Sequence, residues 1–277
     1  MPELPEVESA RAVIARSGLK RRIVDVDDAD TWECRPHAPG EIREALVGRT
    51  LTVAHRRGKS MWCETSGVGR SRTAGPNLGI HLGMSGRILV TGKQSGKDSE
   101  DEGGDYTGFV GRAADARKPE WYRFTLTFDD GGQLRLFDKR RLGRVRLDPD
   151  IDALGPDAAE ITVDELRTAL ARSSAPVKAR LLDQAVVAGI GNLLADEVLW
   201  QAAVDPHTPA RSLDAEHVFE LHDQLQAAIG SAIKQGGVHT GEIIPYRKAD
   251  AHCPRCGAEM RQGKVGGRTT WWCAKEQ

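Results

Sequence analysis

The sequence predicts an α+β protein, strand-rich through its first half and helical through its second. Three observations carry this reading. β-Branched and alternating stretches recur from Ile23 to Leu147. A helical period takes over from Thr162 to Ile233. Three of the five cysteines, Cys253, Cys256 and Cys273, then cluster in a spacing that suits a metal site rather than a disulfide framework. At 277 residues the chain has room for two cores. The β-character stops near Leu147-Asp148-Pro149-Asp150, so the expected division is 1–148, 149–245 and a cysteine hairpin at 246–277.

Val7, Ala10 and Ile14 form one apolar stripe of a helix from about Leu4 to Arg16, which Gly18 can end. Ile23–Val26 and Leu51–Ala54 read as strands on either side of a short helix, Gly40–Val47. Met61-Trp62-Cys63 reads as a buried strand, and the glycine-rich run Asn77–Gly86 as a tight turn between strands. Residues 93–118, rich in Gly, Ser and Asp, read as a mobile surface insertion. Arg123–Phe128 alternates, turns at Asp129-Asp130-Gly131-Gly132 and alternates back through Leu134 and Leu136. This hairpin delivers Asp138-Lys139-Arg140-Arg141-Leu142-Gly143 at its end. Thr162 with Glu165 forms a capping box, opening the helical part. Helices follow at Lys178–Gln184 and Leu193–Ala202, separated by the turn Ala188-Gly189-Ile190-Gly191-Asn192. Ser212–Ile233 is a long amphipathic helix with Val218, Leu221, Leu225 and Ile229 on one face.

Composition excludes some functions. No apolar run reaches the length of a membrane span and no signal-peptide pattern opens the chain, which points to a cytoplasmic protein. Lys and Arg number 39 against 40 Asp and Glu, a net charge of −1, so the distribution matters more than the sum. Basic residues gather at Arg56-Arg57-Gly58-Lys59, at Lys139-Arg140-Arg141 with Arg144 and Arg146, and near the C-terminus. Lys59 is either a solvated lysine or a phosphate contact. The 139–141 loop is either a charged strand edge or a basic loop aimed into DNA. Met84 is either core filler or a wedge between bases, and Asn192 either a helix cap or part of a phosphate site. A fourth thiolate is missing, since Glu276 stands where it would fall. Either Glu276 or His252 is left to complete a tetrahedral zinc. Arg268 lies in a Gly-Gly-Arg-Thr-Thr turn that suits insertion into a groove.

The stretch Met1-Pro2-Glu3-Leu4-Pro5-Glu6-Val7-Glu8 also has two readings. Prolines and glutamates suit the first turn of a helix. If Met1 is trimmed, however, Pro2 becomes a terminal secondary amine. An α-amine titrates near 7.7–8.0, so roughly a third is neutral at pH 7.5, against about a thousandth of a lysine. Such an amine attacks a carbonyl-like carbon without a buried base to activate it, and Glu3 and Glu6 lie beside it in sequence as proton donor and acceptor.

The opening octet, His81-Leu82-Gly83-Met84-Ser85-Gly86, and Lys178–Glu197 with Val187-Ala188-Gly189-Ile190-Gly191-Asn192 are followed by the cysteine hairpin. In this order they resemble the formamidopyrimidine-DNA glycosylase and endonuclease VIII superfamily, across both halves except the 93–118 insertion. The resemblance implies an N-terminal β-sandwich domain and a helix–two-turn–helix domain ending in a zinc finger. It implies a monomer on double-stranded damaged DNA, bent, with the damaged nucleotide flipped out so that the sugar carbon is reachable. It also implies a cytoplasmic location on the nucleoid. The implied activity is base-excision repair by a bifunctional glycosylase and abasic-site lyase: Pro2 attacks C1′, an iminium forms, and β,δ-elimination cuts the strand. In this scheme Glu3 donates a proton to the sugar ring oxygen and Glu6 supports it. Lys59, His81, Asn192 and Arg268 match phosphate contacts, Lys178 belongs to a DNA-binding motif, and Met84, Arg140 and Leu142 match the trio that fills the vacated stack.

Three features depart from the pattern. Leu142 stands where phenylalanine is common, the fourth zinc cysteine is absent, and Gly236–His252 is short for the loop that covers an oxidised purine. The alternative function is a catalytically inactive protein of the same fold that binds lesions or abasic sites. The intact set Pro2, Glu3, Glu6 and Lys59 argues against it.

Overall fold

A computed structural model describes residues 2–69, 73–92, 102–103 and 118–277. Met1, and all of the 93–118 insertion except 102–103 and 118, lie outside the described residues. The chain forms two compact units, Met1–Pro2 with Glu6–Ile151, and Glu3–Pro5 with Asp152–Gln277.

In the first unit, helix α1 (Leu4–Val13) continues as a wider π-type turn to Gly18. Strand β1 (Ile23–Asp27) leads to a short helix, α2 (Glu41–Leu46), and then to β2 (Leu51–Arg57), β3 (Ser60–Thr65), β4 (Leu78–His81) and β5 (Arg87–Val90). A two-residue β6 (Glu102–Gly103), β7 (Tyr122–Phe128), β8 (Gln133–Phe137) and β9 (Arg144–Leu147) follow. They form two antiparallel sheets, ordered β1-β7-β8-β5-β6 and β2-β3-β4-β9. The alternation expected for the Arg123–Leu136 hairpin is present: Phe124 pairs with Leu136 and Leu126 with Leu134, all four buried. Their inward faces share one core with Leu51, Met61, Leu78, Ile80 and Val145 of the other sheet. The unit is thus a β-sandwich, and α1 and α2 add Val7, Ala10, Ile42 and Leu46 to its core.

The second unit is helical. Thr162 caps α3 (Val163–Ala171) with the full reciprocal capping box, as its sequence predicts. Helix α4 (Val177–Leu182) ends in the glycine turn, which Gln184 closes: its amide donates to the Leu182 and Ile190 carbonyls and accepts from Gly189 N–H. Helix α5 (Asn192–Gln201) is buried from Leu194 to Trp200. Helix α6 (Ala215–Gln235) is capped by Asp214 and stopped by Gly236 at φ +95°. Strands β10 (Met260–Val265) and β11 (Arg268–Cys273) pair antiparallel across Gly266-Gly267, whose φ values of +57° and +73° suit a two-residue hairpin turn. Among the described residues no helix is long and apolar enough to cross a membrane.

Candidate active site

Glu3 and Leu4 are tied down. Glu3 is buried, and its Oε2 accepts from Gly191 N–H and Leu194 N–H at 3.0 Å each, its Oε1 from Leu193 N–H at 2.9 Å. Leu4 N–H donates to the Gly189 carbonyl at 3.1 Å. The anion expected at the start of α5 is therefore the Glu3 carboxylate, and it satisfies helix amides that would otherwise lack partners. A side chain at Gly191 would place its Cβ 2.2 Å from the Glu3 carboxyl carbon, so close approach requires glycine there. Pro2 and Glu6 are buried as well.

In the β-sandwich unit, β3, β4 and β9 align Ser60, His81 and Arg144 on one rung. Lys59 precedes that rung in the β2–β3 turn. Gly83 N–H donates to His81 Nδ1 at 3.0 Å, and burial, with Lys59 and Arg146 nearby, pushes the imidazole pKa down. The neutral ring then carries its proton on Nε2, a donor suited to a phosphate oxygen. Beside it lies a groove of about 390 Å³ lined by Ser60, His81, Leu142, Arg144 and Arg146, among others.

Met84 and Leu142 are 38% and 40% exposed, so neither is core filler, and Arg140 is exposed too. Their two loops are held together by Asp138, which is fully buried. Its Oδ1 accepts from Ser85 Oγ at 2.6 Å and Arg140 N–H at 2.9 Å, and its Oδ2 from Leu142 and Gly143 N–H at 2.8 Å each. Gly83, at φ +59°, leaves a Cβ position 2.3 Å from the Leu142 carbonyl group, so the loops touch backbone to backbone.

Lys178 requires a correction. Its side chain is 0% exposed, with Nζ 2.5 Å from Asp196 Oδ1 and 2.8 Å from Thr270 Oγ1. In this structure it meets protein, not a surface open to DNA. Arg247 Nε reaches the other Asp196 oxygen at 2.8 Å. Burial pushes the Lys178 ammonium down and the Asp196 carboxyl up, against their mutual attraction. Asn192 Nδ2 donates to the Thr269 carbonyl at 2.9 Å, so it links α5 to β11. Arg268 is exposed at the start of β11.

Cys253, Cys256, Cys273 and Glu276 bring their ligand atoms within 4.8 Å of one another. Tetrahedral zinc with bonds of ~2.3 Å to sulfur separates its ligands by about 3.8 Å. Cys256 and Cys273 Sγ lie 3.5 Å apart, and Cys253 Sγ lies 3.9 Å from Glu276 Oε2. The set can hold a metal ion. Of the two candidates for the fourth ligand, Glu276 joins the group, whereas His252 is exposed and pairs in a bridge with Glu259.

Comparison with known proteins decides the family. The family model described as formamidopyrimidine-DNA glycosylase N-terminal domain matches residues 1–145, and that described as its H2TH domain matches 153–242. The chain belongs to the formamidopyrimidine-DNA glycosylase family. A formamidopyrimidine-DNA glycosylase of Roseiflexus sp. is 33% identical over 100% of both chains. One of Arabidopsis thaliana is 34% identical over 84% of this chain, which spans 58% of that longer protein. Among solved structures, a Lactococcus lactis Fpg in complex with abasic-site DNA is 26% identical, with TM-score 0.76 over 99% of each chain. Another, in complex with DNA containing FAPY-dG, is 27% identical with TM-score 0.77 over 99% of each chain. Membership makes this chain an enzyme of the DNA-glycosylase class.

Sequence reasoning missed several supporting residues of this family member. Glu33, Asp196, Arg247 and Thr270 carry no local motif. Asp138 did leave a signal, an aspartate opening a basic turn, because aspartates there accept from the next backbone amides.

Proposed function

We propose that the chain excises damaged bases from double-stranded DNA with Pro2 as nucleophile and then acts as an abasic-site lyase. With Met1 removed, the Pro2 nitrogen lone pair attacks C1′ as the glycosidic bond breaks and the base leaves with a proton. Ring opening yields an iminium, and loss of a C2′ proton expels the 3′ phosphate. A further elimination expels the 5′ phosphate. Glu3, a carboxylate at rest, takes the proton that the Pro2 nitrogen sheds on bonding to C1′ and donates it to the sugar ring oxygen, Glu6 supports it, and Lys59, His81, Asn192 and Arg268 hold phosphates. Met84, Arg140 and Leu142 fill the space left by the flipped nucleotide. An aliphatic Leu142 fills it without the ring face that phenylalanine offers.

One observation carries this reading: Glu3 and Leu4, beside a chain end of a kind that usually frays, are fixed. The amides of Gly191, just before α5, and of Leu193 and Leu194 within it grip Glu3, and Gly189 accepts from Leu4, so the residue before them has a defined address. Cys253, Cys256, Cys273 and Glu276 would hold a structural zinc, which supplies a cross-link that keeps the β10–β11 hairpin and Arg268 in place.

The test compares a C-terminally tagged, methionine-trimmed protein with one carrying an uncleavable extension before Pro2. Each is mixed with abasic-site duplex and borohydride. A covalent complex with the first protein only supports the reading. Equal trapping by both overturns Pro2 as nucleophile, and binding without trapping by either points to a lesion-binding protein without lyase chemistry.

A further inference from the structure

A second buried carboxyl faces the Asp138 hub. Glu33, in the segment between β1 and α2, is 0% exposed, and its carboxyl converges with that of Asp138 on one backbone amide, Gly143 N–H. Glu33 Oε1 accepts from Gly143 N–H at 3.2 Å, and its carbonyl accepts from Val145 N–H at 2.9 Å. Its Oε2 is buried and receives no donor. Two carboxyl groups buried against the same amide avoid facing each other as anions only if one holds a proton, which it can then donate to the other. Asp138 already accepts from four donors on its two oxygens, so it is the acceptor and the proton lies on Glu33.

We propose that Glu33 is a positioning residue for lesion reading: its protonated carboxyl donates to Asp138 and so locks together the two loops that present Met84, Arg140 and Leu142. The inference rests on the strand-filling role assigned above to those three side chains.

The surroundings agree. Burial first, then Asp138 and Asp30, push the Glu33 carboxyl up to about 8. Other charged or titratable groups around the pair are Cys34 on the same segment, Arg141 on the loop, and Arg123 and Arg144 on β7 and β9. Arg141 and Arg123 reach Asp30 at 2.7 and 3.5 Å. Arg123 Nε donates to the Asp138 carbonyl, and Arg144 to the Gly143 and Trp32 carbonyls. No cation among these is bound to the Glu33 carboxyl itself in the hydrogen bonds and ion pairs described. When Glu33 ionises, two carboxylates oppose each other in a buried site and the shared hydrogen bond is lost.

The full chain, as wild type, Glu33→Gln and Leu142→Ala, is tested at fixed salt from pH 6.5 to 9.5. One readout is affinity for a duplex with a tetrahydrofuran abasic analogue relative to an intact duplex. The other is thermal unfolding without DNA. Glutamine keeps the acceptor for Gly143 and the donor for Asp138 but cannot ionise. Wild type should lose discrimination towards pH 9.5, by up to about thirtyfold for a group titrating near 8. Glu33→Gln should match wild type at pH 7 and stay flat, and Leu142→Ala should discriminate poorly throughout. A Glu33→Gln protein that loses discrimination at pH 7, or falls with pH as wild type does, overturns the proposal. Intact discrimination in Leu142→Ala overturns the strand-filling reading and the positioning role with it. In that case parallel unfolding profiles of wild type and Glu33→Gln would deny the shared proton itself, whereas a wild-type-only decline would retain it. The wild-type profile is informative even if a variant fails to fold.

Discussion

Asp138 in the β-sandwich unit accepts three backbone amides and a serine hydroxyl, all neutral donors. Asp196 in the helical unit sits instead between two cations, Lys178 at 2.5 Å and Arg247 at 2.8 Å. Both aspartates are buried, and both hold a loop or hairpin that carries a proposed DNA contact. The neutral hub anchors only the feet of its loops and leaves Met84, Arg140 and Leu142 exposed. The charged hub takes its own cation, Lys178, out of reach of solvent and uses it to grip Thr269 and Thr270 of the hairpin. The same residue type thus supports two kinds of surface. One is a pair of exposed fingers on hydrogen-bonded loops, the other a hairpin clamped from behind by buried charge.

Glu3 combines both tasks, and the largest effect is expected there. Glu3→Gln puts an NH₂ against helix amides that need an acceptor and removes the proposed proton donor. Base release in single turnover should fall about 10²–10⁴-fold, with a smaller loss in unfolding free energy of about 1–3 kcal/mol. Base release that changes no more than stability does would reduce Glu3 to a helix cap.

Next comes Asp196→Ala, which strands the buried Lys178 and the half-buried Arg247 and should cost about 3–5 kcal/mol in denaturant unfolding. Asp138→Asn leaves neutral donors short of one acceptor, at a cost of about 1–3 kcal/mol, while lesion discrimination weakens. If Asp138→Asn is the more damaging of the two to stability, the contrast between the hubs is wrong.

The smallest effect is expected at His81. His81→Gln should weaken binding by about 0.5–1.5 kcal/mol, the worth of one hydrogen bond. Because its pKa is pushed below the ordinary value near 6.5, His81 is neutral from pH 7 to 8. Wild type and variant should therefore keep parallel binding profiles across that window. A steeper wild-type decline as pH rises would mean that His81 binds as a cation.

What was legible in the sequence was local. The Arg123–Leu136 hairpin, the Thr162 capping box and α6 follow from alternation, spacing and caps, and each formed where its pattern lies. The exposed Met84 and Leu142 were legible only as alternatives, since an apolar residue reads the same in a core or on a loop. Lys178 misled because a lysine in a polar-looking helix start gives no sign that Asp196 and Thr270 will enclose it. Glu33 was silent for the same reason: Asp138, which meets it at Gly143 N–H, lies far along the chain in the loop after β8, and no spacing records that meeting. Long-range carboxyl contacts are set by the packing of sheets whose pairing the linear pattern leaves open.

The central claim is that the Pro2 nitrogen forms the bond to C1′, and peptide mapping of the borohydride-trapped complex tests it most directly. The account predicts one modified peptide that begins at Pro2, lacks Met1 and carries the reduced sugar adduct on its terminal nitrogen. An adduct on Lys59 or any other lysine, with an unmodified N-terminal peptide, would contradict it.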